Sequence, residues 1–266
     1  MRNVVIFMEI ITYDGLVAGL RAAGCVFAED EAQMLISAAR SPIELAAMAD
    51  QRVLGHPLEH VIGWMEFCGL RIEVDPGVFI PRLRTEFLVQ RATEIAQSGD
   101  VVLDLCCGTG ALGAVLAAEV KDTELYAVDI DPKAVQCARR NITAVGGHVF
   151  EGDIFAPLPV TLHNRIDILL ANVPYVPTEA IELLPSEARI HEARLALDGG
   201  EDGLDVLRRV ALEAPLWLAP GGHLLVEVSE RQALQAVEIF VRNGLIPTVS
   251  RFEELDATVI VGTRHI

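Results

Sequence analysis

Val101-Val-Leu-Asp-Leu-Cys-Cys-Gly-Thr-Gly110 changes character along its length. It begins as an apolar run, turns through two glycines and leads into an Ala- and Leu-rich segment with helical spacing at 111–119. A strand that ends in a glycine turn and opens a helix is the unit of parallel sheets. The alternation continues downstream. Apolar runs at 124–130, 148–152, 166–173 and 223–228 are mostly separated by amphipathic segments such as 132–144, 204–218 and 231–243. Parallel strands with helices on both faces are predicted. The last two runs, 246–252 and 258–262, have only residues 253–257 between them. That gap is too short for a crossover helix, so these two are predicted to pair antiparallel. The predicted class is α/β: a Rossmann-like, mostly parallel seven-stranded sheet ending in a C-terminal antiparallel hairpin.

Upstream, residues 14–62 repeat apolar positions at steps of three and four: Leu16, Leu20, Ala23 and Phe27, then Ala32, Leu35, Ile36 and Ala39, then Leu45, Ala46 and Ala49. Ser41-Pro42-Ile-Glu44 reads as an N-cap, a first-turn proline and an early acid. Residues 1–63 are assigned to a small helical domain. Apolar positions then flank Asp75-Pro-Gly77, which predicts a β-hairpin connector over 64–86, with the sheet domain over 87–266.

The 266 residues are 52% hydrophobic and 22% charged, with a formal net charge of −17. Enough apolar material is present for a large domain and a small one. The acidic excess and the lack of a Lys/Arg run argue against a nucleic-acid partner, because phosphate is repelled outside a local basic patch. The five cysteines form no C-x-x-C pattern and read as reduced, mostly buried thiols of a cytoplasmic protein. The apolar stretch 4–11 carries Glu9 and is too short to span a bilayer, so no membrane association is expected; Met1 or Met8 fits as the start. His56-Pro-Leu-Glu59-His60 has a zinc-protease spacing, but Pro57 interrupts the helix start, and no metal is predicted. Asn141-Ile-Thr143 has the glycosylation pattern but falls in a predicted helix.

In a doubly wound sheet, ligands sit at the carboxyl ends of the strands. The first strand ends at Asp104-Leu-Cys106-Cys107-Gly108-Thr109-Gly110, the second at Asp129 and the third at Asp153-Ile154. Glycines let a backbone approach a ligand. A carboxylate at Asp129 can accept from ribose hydroxyls, Asp153 can accept from an adenine amino group, and Ile154 can lie against the ring. Alternatives are an NAD site or a nucleotide-free scaffold. Read as D-x-x-x-G-x-G, with helix already under way at 111, the loop favours S-adenosylmethionine, which carries no pyrophosphate.

The fourth strand ends at Asn172-Val173-Pro174-Tyr175. An amide or amino nitrogen is a poor nucleophile, so it must be held in line with the group it receives, and its developing positive charge must be stabilised. The Asn172 side-chain carbonyl and the Val173 main-chain carbonyl can each accept one N–H, and Tyr175 can stack on the planar group. Asn-x-Pro is also an ordinary strand-end turn.

The sequence resembles the HemK/PrmC-type protein-(glutamine-N5) methyltransferase family over nearly its whole length. The resemblance rests on Gly55-x-Pro57-x-x-His60-Val-Ile-Gly63, Phe67-Cys-Gly-Leu70, Phe79-Ile-Pro-Arg82-Leu-Arg-Thr-Glu86, the loop at 104–110, Asp129, Asp153, the tetrapeptide at 172–175, and Leu195-Ala-Leu-Asp-Gly-Gly-Glu-Asp-Gly-Leu204. It implies a class I S-adenosylmethionine methyltransferase fold. The implied substrate is a glutamine in an exposed loop of a release factor or ribosomal protein, recognised by the helical domain. It further implies that Cys106–Gly110, Asp129, Ile154 and Asn172 line the cofactor, and that residues 172–175 hold the acceptor amide.

Five positions depart from the family pattern. Val173 stands for the first proline of N-P-P-Y, Cys106 for the first loop glycine, Leu83-Arg84 for Pro-Glu, and Ala193 for a proline. They suggest a divergent branch whose protein substrate need not be a release factor. Two alternatives remain at this stage: an amino-methyltransferase acting on DNA or RNA, and a non-catalytic binding module on the same scaffold.

Overall fold

A computed structural model describes residues 12–266; the stretch 4–11, with Met8, lies outside the described residues. The chain divides into two units at Gly63/Trp64.

The first unit is helical: α1 (Tyr13–Ala22), α2 (Ala28–Ala38), α3 (Pro42–Val53) and the short α4 (Leu58–Ile62). The Ser41 hydroxyl accepts the Glu44 N–H at 3.2 Å, and the Glu44 carboxylate accepts the Arg40 N–H at 2.6 Å, so the two ends of the first turn cap each other. Leu16, Leu20, Ala32 and Leu35 are buried, whereas Phe27 and Ile36, on the same apolar pattern, are exposed. Arg52 and Glu31 form a largely buried ion pair between α3 and α2 at 2.6 Å.

The second unit opens with the antiparallel hairpin β1 (Trp64–Phe67) and β2 (Leu70–Glu73). The predicted turn at Asp75-Pro-Gly77 is a correction: the chain reverses at Cys68-Gly69. Both residues have positive φ, 47° and 75°, as a two-residue hairpin turn requires. Residues 78–80 form no strand. The hairpin does not stand apart, because Phe67 and Ile72 pack in one apolar cluster with Val102, Leu116 and Ile142.

Then follow α5 (Glu86–Ile95), β3 (Val101–Leu105), α6 (Ala111–Glu119), β4 (Glu124–Asp129), α7 (Pro132–Ala144), β5 (His148–Glu151), β6 (Ile166–Ala171), α8 (Ser186–His191), α9 (Asp205–Trp217), β7 (Leu218–Val228), α10 (Ala233–Arg242), β8 (Leu245–Phe252) and β9 (Ala257–Arg264). The sheet has seven strands in the order β5-β4-β3-β6-β7-β9-β8. All pairs up to β6·β7 are parallel, while β9 runs antiparallel to both neighbours, and the short 253–257 gap demands this of β8·β9. Strand residues alternate between two cores. Leu103, Leu169 and Leu224 face the α9 and α10 side, and Val102, Ile168 and Leu225 face α5 and α6. β7 begins at Leu218 rather than 223, because its register with β6 shifts between Ile166 and Ile168. Gly222 sits at that shift, where a Cβ would lie 2.6 Å from the Ile166 carbonyl. Among the described residues no helix is long and apolar enough to cross a membrane.

One buried polar side chain ties hairpin, helix and glycine loop together. Asn141 of α7 donates to the Thr109 carbonyl at 2.8 Å and the Glu73 carbonyl at 3.0 Å, and accepts the Glu73 N–H at 2.9 Å. Its helical, buried setting explains why the sequon is structural. Asn141→Ala removes three hydrogen bonds to backbone groups, of which the Glu73 carbonyl alone keeps a second donor, the Cys137 thiol, so urea unfolding is expected to show a loss of roughly 2–4 kcal/mol. An unchanged midpoint would remove Asn141 from this role.

Candidate active site

The chain passes from β3 outward through β4 and β5, then returns to place β6 on the other side of β3. This reversal is the switch point at which open α/β sheets bind ligands. Leu105 pairs with Ala171 in the last step of the β3·β6 ladder, so Cys106 and Asn172 leave the sheet side by side.

The loop after β3 is held by carboxylates. One Asp129 oxygen accepts the Gly108 N–H at 2.8 Å and the other accepts the Asp131 N–H at 2.9 Å. Asp104 accepts the Gly113 N–H of α6 at 2.9 Å. Burial, reinforced by Asp129, pushes the Asp104 carboxyl up to about 8 against the backbone hydrogen bond. Burial, with the nearby Asp131 charge, also raises Asp129, while backbone donors oppose it. The Cys106 and Cys107 thiols are pushed far up by burial and then by Asp129 and Asp104, so neither is a thiolate nucleophile. Cys106 has φ 55° and Ile154 has φ 49°. Both are left-handed conformations that cost energy for a residue with a side chain. The glycine that the family usually has at position 106 would adopt this geometry without strain.

These elements line a cleft. Phe79, Ile130, Ile154 and Val206 give apolar walls, and Asp129, Asp131, Asp153 and Asn172 give acceptors. Thr109 also lines it, and its buried hydroxyl has no hydrogen-bond partner. Asp153 follows β5 by two residues and bonds Arg209 of α9 at 2.6 Å through one oxygen. Gly108, Gly110 and Gly113 also satisfy G-x-G-x-x-G, with the last of them inside helix α6. A Cβ at Gly113 would meet the Asp104 carboxylate at 3.1 Å, so this glycine serves close helix–sheet packing. Charge, rather than spacing, separates the cleft from a pyrophosphate site. Its only lining cation among the described residues is Arg209, which Asp153 neutralises. An acidic, apolar-walled cleft fits a nucleoside that carries positive charge and fits a diphosphate poorly.

A second cleft adjoins the first, and Phe79, Asn172 and Ala196 line both. Val173, Tyr175, Arg82 and Arg84 complete much of its wall. The Val173 side chain is buried in the core. The Tyr175 carbonyl accepts from Gln232 at 2.9 Å, and the Tyr175 hydroxyl donates to Glu227 of β7 at 2.7 Å. Burial and the Glu227 carboxylate raise the phenol's pKa, so it stays neutral. Segment 177–203 is folded against this strand end. Val176 donates to Leu197 and accepts from Gly199, at 3.0 and 2.8 Å. A Cβ on Gly199 would lie 2.6 Å from the Pro174 carbonyl, so the backbones meet only because Gly199 is bare. Glu192, nearly fully buried, accepts the Ile80 N–H at 3.2 Å and pairs with Arg82 at 2.5 Å, holding the 77–82 loop at the clefts.

The structure therefore gathers Cys106 to Gly110, Asp129, Asp153, Ile154 and Asn172 around the switch point, with Val173, Pro174 and Tyr175 beyond. Sequence reading missed Arg209, Glu192, Gln232 and Glu227. Two signals were present: Glu227 interrupts the apolar run Leu224-Leu-Val-Glu-Val228, and Ser229-x-x-Gln232 has capping-box spacing.

The profile of the "Methyltransferase small domain" family matches residues 69–203. The chain is 38% identical to a release factor glutamine methyltransferase of Geobacter sulfurreducens over 84% of this chain and 80% of that one. It is 37% identical to one of Streptomyces coelicolor over 71% and 69%. A solved methyltransferase structure from Pyrococcus furiosus superimposes with a TM-score of 0.58 at 18% identity, covering 75% of this chain and 91% of that one, which shows a shared methyltransferase fold.

The Asp104 shift has a measurable sign. Folded, the carboxyl holds its proton up to about 8; unfolded, it loses it near 3.8. Its contribution to stability is complete below the lower value and is lost as pH rises through the upper one. Asp104→Asn is expected to flatten the fall in unfolding free energy over that window, as read by urea titration at several pH values. A parallel pH dependence in parent and variant would contradict the burial of a neutral Asp104.

Proposed function

The chain belongs to the release factor glutamine methyltransferase family, and from that premise we propose that it transfers a methyl group from S-adenosylmethionine to the N5 nitrogen of a glutamine side chain in a protein, a peptide-chain release factor by the name its relatives carry. The observation that carries the reading is the meeting of two clefts at Asn172, one shaped for a cationic nucleoside and one open to an acceptor.

S-adenosylmethionine, when bound, supplies an electrophilic methyl group on a sulfonium. Asp129 would hold its ribose hydroxyls with the acceptor capacity left after Gly108 and Asp131. The Asp153 oxygen that does not bond Arg209 would take the adenine amino group, and Ile154 would cover the ring. On the other side of Asn172, its side-chain carbonyl and the Val173 main-chain carbonyl would each accept one amide N–H. That fixes the nitrogen's direction and stabilises the charge it gains. The Tyr175 ring would support the flat amide. A glutamate acceptor would set oxygens against those carbonyls and make no hydrogen bond, so the pair selects an amide.

The helical unit is assigned to recognising the protein substrate, a role supported by its exposed Val26, Phe27, Ile43 and Leu54. The thiols of Cys68, Cys106, Cys107 and Cys137 carry no disulfide, which fits a reducing, cytoplasmic setting.

Asp129→Ala is expected to weaken S-adenosylmethionine binding in calorimetry by about 1–3 kcal/mol for the unsatisfied hydroxyls. The stranded Gly108 N–H adds to that loss. Unchanged affinity would sink the ribose assignment.

Asn172→Ala is expected to fold normally yet lose turnover by ~10²-fold or more. Val173→Pro is expected to be tolerated, since Pro174 already holds residue 173 in the extended region. The assay offers labelled cofactor with release factor, DNA and RNA in parallel. Label should enter protein alone and vanish when the acceptor glutamine becomes glutamate. Label on a base amine, or full activity in Asn172→Ala, would overturn the reading.

A further inference from the structure

Arg84 stands where the family pattern usually has glutamate, and its guanidinium makes a closed set of contacts at the acceptor cleft. It lies in the 3-10 turn Leu83–Thr85 ahead of α5. Its Nε donates to Glu227 Oε1 at 3.1 Å, and its Nη2 donates to the Tyr175 hydroxyl at 2.6 Å. That hydroxyl in turn donates to the same Glu227 oxygen at 2.7 Å. The guanidinium carbon lies 5.8 Å from the centre of the Tyr175 ring. Three side chains from distant stretches of sequence thus form a closed triangle of hydrogen bonds.

The triangle has one buried member. Glu227 is only 2% exposed, and its second carboxylate oxygen has no hydrogen-bond partner. A buried carboxylate with one partnered oxygen depends on the cation beside it. Arg84, half exposed, is that cation. Because Arg84 and Glu227 grip the phenol from both sides, the tip of the Tyr175 ring cannot swing. The other end is pinned by Gln232 at the Tyr175 carbonyl. The ring itself, with the Arg84 guanidinium over it, borders the acceptor cleft.

We propose that Arg84 is a positioning residue of the acceptor site, acting through Tyr175 to fix the ring plane against which the acceptor amide lies. The proposal rests on the glutamine methyltransferase reading above. It assigns to this chain a device in which the cation neutralises Glu227 and orients Tyr175 together. Arg84 itself touches no reacting atom, and the phenol, committed on both sides, takes no part in proton transfer.

The test separates positioning from a merely structural ion pair. Arg84→Met alone leaves Glu227 buried without its cation and is prone to misfold. Arg84→Met/Glu227→Gln removes both charges, and is expected to match the parent in unfolding midpoint and in S-adenosylmethionine Kd by calorimetry. Its kcat on the protein acceptor is expected to fall about tenfold, because a displaced support misaligns the nucleophile. Tyr175→Phe, which lacks the hydroxyl that Arg84 grips, is expected to lose a similar factor. The triple variant should lose no more than Tyr175→Phe does. Parent-like kcat in Arg84→Met/Glu227→Gln, or losses that multiply in the triple variant, would overturn the inference while leaving the functional reading intact. A parent enzyme that labels no protein glutamine would overturn both.

Discussion

The parallel pairing of β3 with β6 is the contact on which the site depends. These strands are separated by two whole βα units in sequence, and they become neighbours only because the chain reverses direction across the sheet. Their ladder ends with Leu105 opposite Ala171. The glycine loop and Asn172 therefore emerge from adjacent strand ends, with their backbones about one interstrand spacing apart, roughly 5 Å. A slip of one residue in this ladder would point Asn172 to the other face. The alternation of buried residues between the two cores guards against that slip, since it would also turn Leu103 and Leu169 away from their cluster.

The carboxylates at the strand ends carry a structural duty beside any binding duty. Asp129 and Asp104 each accept backbone N–H groups of the glycine loop and of α6. They compensate donors that a loop and a helix start leave open. The burial that raises both carboxyls toward neutrality is the cost of placing acceptors where the loop needs them. Asn141 performs the same service from the opposite side by taking up Thr109 and Glu73.

The departures from the family pattern have local physical accounts. Cys106 occupies a left-handed backbone position, and its small side chain packs partly against the core. Val173 is buried in the core and keeps the main-chain carbonyl that a proline there would also carry. Arg84 is compensated by Glu227 and therefore adds no free charge to the acceptor cleft. Such substitutions leave the architecture intact, in keeping with 38% identity to the Geobacter sulfurreducens relative over most of the chain.

Local order along the chain was enough to specify most of the helices and strands, because apolar period and capping act over a few residues: α6 and α7 run over the predicted 111–119 and 132–144. It was also enough to specify the antiparallel end of the sheet, since five residues cannot hold a crossover. The strand ends at Leu105, Asp129 and Ala171, with Asp153 and Asn172 just beyond β5 and β6, could be read the same way, because apolar runs stop about where strands stop. Only tertiary structure decided the remainder. The hairpin turns at Cys68-Gly69 rather than Asp75-Pro-Gly77, since pairing Trp64 with Glu73 leaves two residues to make the turn. Glu227, Arg84 and Tyr175 lie far apart in sequence, so their mutual compensation depends on β7, the 83–85 turn and the end of β6 converging. Arg209 meets Asp153 only because α9 packs beside the end of β5. Pattern along a chain reports which face a residue prefers; which distant charge will meet it there is settled by the packing of the sheet.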